Sequence, residues 1–390
     1  MRIQTFSSLA QMAENQWQKL VPPQFPFVSY QFLHTLEVTG CLGPRTGWHP
    51  SYLTAWENDE LVGAIILFHK SNSYGEYIFD FAWAQAHAAY GIEYYPKLVA
   101  AIPFTPATGP KLLTSQALSP EKKTEVGQSL LNSIAEFSHQ NPVSSSHALF
   151  ISPDEVSKFQ NAGYFLRDSF QFHWFNRDYK LFSDFLADLK SKRRREILRE
   201  RNVVRNAGLT IHRLNGNQLT PEHADLMYDF YLSTVEKKQG FAYLTRDFFE
   251  EIFSTFKNQI LLVLAKNSMN QPIAGALNYL GNKTIFGRQW GCLEEHKALH
   301  FELCYYQGIE FAIDHGLTLF EAGAQGEHKF PRGFRPTLTY SAHQIKDSKL
   351  NLAIQNFVIE ERRQLRSLFS YYKEHSPFIV TDSLSIESSP

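Results

Sequence analysis

Cysteine is scarce: Cys41, Cys292 and Cys304 are the only three in 390 residues. So few and so widely spaced, they make neither a disulfide framework nor a zinc pattern, which points to a reducing compartment. An excess of one charge is also missing. The 38 Lys and Arg balance 39 Asp and Glu, so no global field directs the chain to nucleic acid or to a charged membrane. No apolar run approaches the length of a bilayer span, and residues 1–18 lack the apolar core of a signal peptide. A cytoplasmic location without a membrane span is therefore expected. Oligomeric state is not readable from composition.

Aromatic residues, by contrast, are plentiful at 14% and run through the whole chain. The length suits two to three domains, each able to bury a core. One pattern of elements occurs twice. Segments 51–68 and 259–279 each hold an apolar strand, a polar turn and a second strand that enters a Gly-Ala pair, Gly63-Ala64 and Gly275-Ala276. Each is followed by an aromatic-rich stretch read as a further strand, 77–83 and 284–290. Each half then shows a helix, 122–139 and 300–315, before a short apolar strand, 148–151 and 317–320. The recurrence indicates duplication of one α/β unit, with a boundary near Asp178 to Phe182 that divides the chain into 1–180 and 181–390. Just beyond it Phe182, Phe185, Leu186 and Leu189 follow helical spacing. A second helix, 190–205, carries eight Lys and Arg and ends at Gly208. Its charges suit either a phosphate group or a solvated face paired with Glu196 and Glu200.

The densest chemistry falls at 321–334, where Glu321, Gln325, Glu327, His328, Lys329 and Arg332 lie among glycines directly after an apolar run. Ionisable groups on a Gly-rich turn at a strand end sit where α/β sheets place their sites. Alternation puts Leu317, Leu319 and Glu321 on one face, so Glu321 stands where an apolar row stops. Glu327 and His328 are candidates to take a proton from an attacking amine. Gly323, Gly326 and Gln325 are candidate donors to an oxyanion, and Lys329 and Arg332 candidate holders of a carboxylate or phosphate. Adjacent Glu327 and His328 point apart on an extended chain, so no metal is expected. Glu302, inside an aromatic helix, reads either as a site carboxylate or as a charge favoured at a helix start. Cys304 reads as buried and inert rather than nucleophilic. Arg288 lies in a stretch, 287–292, comparable to a phosphate-binding loop but too poor in glycine. Asp80 and His87 read as groove liners or as satisfied structural groups.

The stretches Tyr74-Gly-Glu-Tyr-Ile-Phe-Asp-Phe-Ala-Trp-Ala84, Tyr94-Tyr-Pro-Lys97, Gln171-Phe-His-Trp174, His300-Phe-Glu-Leu-Cys-Tyr-Tyr306, Glu321-Ala-Gly-Ala-Gln-Gly-Glu-His-Lys329 and Tyr340-Ser-Ala-His343 carry a resemblance. The chain resembles, over about residues 27–345, a bacterial family of FemAB-like N-acyltransferases of the GNAT superfamily. The resemblance implies an α/β (α+β) fold: two tandem GNAT-like domains, each a mixed, mostly antiparallel sheet flanked by helices, as in the Fem peptidoglycan aminoacyltransferases. It implies transfer of an acyl or aminoacyl group to a small-molecule or peptide amine acceptor. The donor would be acyl-CoA, aminoacyl-tRNA or an acyl-carrier protein. It also implies that His300, Tyr340, His343, Trp83 and Asp80, from the matching stretches, lie near substrate. One departure stands out. In the wider superfamily a pyrophosphate loop of the type Arg/Gln-x-x-Gly-x-Gly/Ala precedes a helix, whereas Arg288-Gln-Trp-Gly291 here continues as Cys-Leu. That weakens acyl-CoA as donor and favours another carrier. The competing expectation is a non-catalytic scaffold that binds a peptide or cell-wall precursor.

Overall fold

The computed structural model describes residues 1–324 and 326–379. Its strands in chain order are β1 (Arg2–Phe6), β2 (Trp48–Glu57), β3 (Glu60–Lys70), β4 (Lys97–Ala100), β5 (Leu113–Thr114), β6 (Ser145–Ile151) and β7 (Phe165–Phe175). They continue as β8 (Thr210–Asn215), β9 (Ile260–Lys266), β10 (Pro272–Leu280), β11 (Thr284–Cys292), β12 (Leu319–Glu321) and β13 (Arg335–Ile345). The chain forms two compact units, the first from Met1–Ser169 with Thr339–Leu365, the second from Phe170–Leu338 with residues 366 onward. Reading the sequence alone puts a single boundary near 180. The return of 339–365 to the first unit is a long-range pairing that no local signal announces.

Both units repeat one pairing order. In the first, β1, β2, β3 and β4 run antiparallel in sequence, β4 pairs β6 in parallel, and β6 pairs β13 antiparallel. In the second, β8, β9, β10 and β11 run antiparallel, β11 pairs β12 in parallel, and β12 pairs β7 antiparallel. The expected mixed, mostly antiparallel sheets are present in each unit, and the duplication read from the hairpins is visible in the topology.

The repeated Gly-Ala pair has a packing reason. A Cβ on Gly63 would lie 2.4 Å from Val126 of helix Pro120–Gln140, and one on Gly275 would lie 2.7 Å from Phe230 of helix Pro221–Lys237. Each glycine lets a helix close on its strand, where Leu130 and Ile134 in one unit and Met227 and Phe230 in the other are buried. The second of these helices starts as its sequence requires, with Thr220 as N-cap in a capping box and Pro221 in the first turn.

One expectation is corrected. The stretch 77–83 is not a strand: Tyr77 has a positive φ of 61°, and a helix, Phe81–Ala89, begins within it. Glu76 and Asp80 turn inward to Lys97, so ion pairing overrides the aromatic alternation that resembles a strand. The strand read at 284–290 is present as β11, and the stretch 287–292, compared above with a phosphate-binding loop, is its end, paired with β10 as far as Cys292. Its backbone amides belong to a sheet and form no phosphate cradle. The helix expected at 300–315 is present with an unforeseen break, since Glu302–Tyr306 is π-helical between Leu299–Phe301 and Gln307–Asp314.

Candidate functional site

In the second unit the chain leaves β12 at Glu321 and enters a 3₁₀ helix, Glu327–Arg332. Gly326 precedes it at φ 116°, and a Cβ there would fall 2.6 Å from the His328 ring. Only glycine lets the backbone close over the imidazole in this way. The π-helical turn packs opposite. Its wider winding, a form that recurs at functional sites, aims Tyr305 so that its Oη lies 2.7 Å from His328 Nε2. The His300 and Phe301 rings flank His328 at centroid distances of 5.8 and 5.6 Å. Arg332 lies 3.4 Å from the centre of the Phe301 ring and donates to Glu200 and Tyr306 Oη, each at 3.0 Å, and to the His328 carbonyl at 2.6 Å. It therefore braces the wall of the site.

Glu302 is buried and taken up by its neighbours. Arg201 Nε reaches both its oxygens at 3.2 Å, and Gln307 Nε2 donates to it at 2.7 Å. Arg201 also bonds Glu310 at 2.8 Å. The basic helix, Ser191–Asn206, thus turns Glu200 and Arg201 inward while Lys190, Lys192, Arg195, Arg199 and Arg205 stay exposed.

Beneath the turn, Lys329 Nζ donates to the Gly323 carbonyl at 2.7 Å, and Arg288 stands 3.9 Å from Glu321. Burial, reinforced by Arg288, lowers Lys329 to about 7. Burial, with Lys329 and Arg288 nearby, lowers His173 to about 3. Burial and the His328 ring lower His300 to about 4. His328 is exposed at the rim, and partial burial with Lys329 and Arg332 still holds it below its ordinary 6.5, so it is neutral at physiological pH. Burial pushes the Tyr305 hydroxyl and the Cys304 thiol upward, which keeps both protonated. Glu327 is exposed on the 3₁₀ helix. Gln325 lies outside the described residues.

The structure therefore gathers His328, His300, Arg332, Lys329, Glu321, Arg288 and Glu302 in the second unit, and adds Tyr305, Tyr306, Glu200 and Arg201. The only sequence signal for Tyr305 was its place on an apolar helical stripe, which reads as core.

Asp80, Trp83 and His343 lie in the first unit, within a separate buried network. Lys97 Nζ donates to Asp80, to Glu76 at 2.8 Å and to Ser73 at 2.9 Å. Tyr94 Oη donates to Asp80 at 2.6 Å and lies 3.4 Å from His147 Nε2. The Nδ1 atoms of His147 and His343 are 2.8 Å apart, so one donates and the other accepts. Burial above all holds both imidazoles well below 6.5. Trp83 meets His343 edge-on at 4.8 Å. Burial raises Glu76 to about 7, whereas the Lys97 ammonium outweighs burial at Asp80 and holds that carboxyl below its usual range. Tyr340 lies apart from this network, on β13 against the aliphatic core.

Among the described residues, no three His, Cys, Asp or Glu side chains converge as a metal site, and no helix is long and apolar enough to cross a membrane. Each unit carries the same mixed sheet, and in the second copy a polar turn follows the parallel strand. A model of the FemAB-like family, described as peptidoglycan biosynthesis/recognition, matches residues 8–380, and the chain belongs to that family. The fold is shared with FemX, at 12% identity over 91% of this chain and 100% of that one, TM-score 0.54. It is shared with L-PGS from Bacillus licheniformis, at 11% identity over 83% and 93%, TM-score 0.50. It is shared too with the C-terminal domain of a candidate lysylphosphatidylglycerol synthetase from Agrobacterium fabrum, at 10% identity over 90% and 97%, TM-score 0.56. No curated protein matches the chain.

Proposed function

We propose that this protein transfers an aminoacyl or acyl group from an ester or thioester carrier to an amine, and that the second unit carries the reaction. The observation that bears most weight is the 2.7 Å contact of Tyr305 Oη with His328 Nε2 on the turn after β12. In the tautomer that gives the Nε2 proton to Tyr305, Nδ1 is left as a base at the exposed rim, with Tyr305 as the positioning residue. The acceptor nitrogen attacks the donor carbonyl and a C–N bond forms while its proton passes to Nδ1. Amides of Gly323 and Gly326 steady the oxyanion. Collapse breaks the bond to the carrier, and His328 returns the proton to the leaving atom.

An aminoacyl ester suits the donor side better than acyl-CoA, because the stretch comparable to a pyrophosphate loop is the strand end at Gly287 and Arg288. Family membership makes a peptidoglycan precursor the acceptor of choice, and the likeness to a lysylphosphatidylglycerol synthetase fold makes an aminoacylated lipid the variant to compare. Arg288 offers positive charge to the acceptor's anionic part, with Glu321 at 3.9 Å to orient it.

Thermal shifts against charged tRNA, carrier-bound aminoacyl groups and acyl-CoA identify the donor, since a ligand at 100 times its Kd stabilises by about 2.7 kcal/mol. With that donor, His328→Gln and Tyr305→Phe should lose roughly 10² or more in turnover and keep the thermal shift. Full turnover in His328→Gln would sink the assignment. A thermal shift with no transfer by the native protein would instead favour the scaffold reading.

A further inference from the structure

In the first unit, the segment from Tyr74 to Gly91 is folded inside out. Its two carboxylates and its histidine, Glu76, Asp80 and His87, are 4%, 3% and 1% exposed, while Tyr74, Phe79, Phe81 and Tyr90 are 60%, 56%, 42% and 67% exposed. This reverses the ordinary preference for apolar burial, and each buried carboxylate has to be offset by a partner. Lys97 holds the inner side through Glu76 and Asp80. From outside, Arg167 donates to the Phe79 carbonyl at 2.8 Å and so pins the outward bend. The rings group together: Tyr74 and Phe81 are 6.0 Å apart, and Phe79 and Phe81 are 6.1 Å apart with planes 22° from parallel. Helix Phe81–Ala89 continues the surface with exposed alanines and one amide, Gln85. The outward face of the segment is aromatic and uncharged, and such a patch marks an interaction surface.

Its chemistry narrows the occupant. A nucleic acid would need unpaired cations beside the rings; the segment itself presents none, and neighbouring Arg167 is bonded to Glu361 and to the Phe79 carbonyl. A sugar would need several polar side chains converging between the rings for its hydroxyls, but both carboxylates point inward and the segment exposes a single amide, Gln85. Four partly exposed rings of 150–250 Å² offer roughly 400–500 Å², short of the about 800 Å² per partner in a stable dimer. A bilayer requires no complementary partner surface, and rings with an apolar body and a polar tip suit the headgroup zone. We infer that this face docks the protein on a lipid bilayer by inserting its rings, without relying on anionic lipid. The inference is independent of the transfer chemistry assigned to the second unit.

The test is co-sedimentation of the full chain with phosphatidylcholine vesicles. Binding should occur and should persist at about 1 M salt, where the Debye length is about 3 Å. Phe79→Ala with Phe81→Ala should weaken it by about tenfold per ring, with an unchanged melting temperature because both rings are exposed. His328→Gln should bind like the native protein. The inference is overturned if phosphatidylcholine is not bound, if salt abolishes binding, or if the double variant binds as well as the native protein. A native dimer that the double variant cannot form would also overturn it, by assigning the face to a second copy.

Discussion

Replacing Lys97 by Met removes the cation that bonds both Glu76 and Asp80 in the first unit, at a position with no solvent exposure. Methionine fills most of the volume, so the loss is electrostatic. Breaking a buried pair from one side typically costs about 3–5 kcal/mol, because the charge left behind is uncompensated. In a unit of this size each kcal/mol moves the melting temperature by about 2–4 °C, so the drop should be roughly 6–20 °C. The cost must depend on pH. Burial already raises Glu76 from 4.5 to about 7. A carboxyl raised in the folded state gives its full stabilisation below pH 4.5 and loses it as pH rises through 7. Without the ammonium, Glu76 rises further and stays protonated in mildly acid solution. Lys97→Met should therefore be least damaging near about pH 5.5 and most damaging near about pH 8. Glu76→Gln added to it should recover part of the loss at the higher pH. Circular-dichroism melting at both pH values measures this. A variant within about 2 °C of the native protein at both, or one hurt more in acid, refutes the argument.

The other predictions concern the second unit. Gly326→Ala places a methyl against the His328 ring at a φ of 116°, so it should cost about 1–3 kcal/mol and roughly 10² in turnover; melting together with steady-state kinetics shows whether the ring has moved. Arg201→Ala strands Glu302 and should destabilise by about 3–5 kcal/mol, and Glu302→Gln in that background should restore much of it. Urea unfolding of the two variants decides this, and equal midpoints would contradict it. His328 lies below 6.5 through burial and the nearby Lys329 and Arg332, so the acid limb of the rate profile should fall below pH 6.5. Lys329→Met removes one positive neighbour and should move that limb upward; a limb at or above 6.5 in the native protein would exclude His328 as the base.

Local physics made much of the fold legible. Alternating apolar hairpins at 51–68 and 259–279 are strands because one face of each must be buried, and Gly208, Thr220 and Pro221 end and start helices through backbone preferences that need no tertiary context. The candidate turn was legible too, since its glycines and ionisable groups lie within fourteen residues. What only the tertiary structure decided was pairing across distance. Tyr305 reads as core until a π-helical turn brings its hydroxyl to His328, and Glu302, read as a site carboxylate or a helix-start charge, is bonded by Arg201 and Gln307 from outside its local stretch. Residues 77–83 look like an aromatic strand, but Lys97 and Tyr94 bond Glu76 and Asp80 and draw the carboxylates inward. Backbone preference acts between neighbours and is written along the chain. The energy of a buried charge depends on which partners share its low-dielectric surroundings, and folding alone brings those partners together.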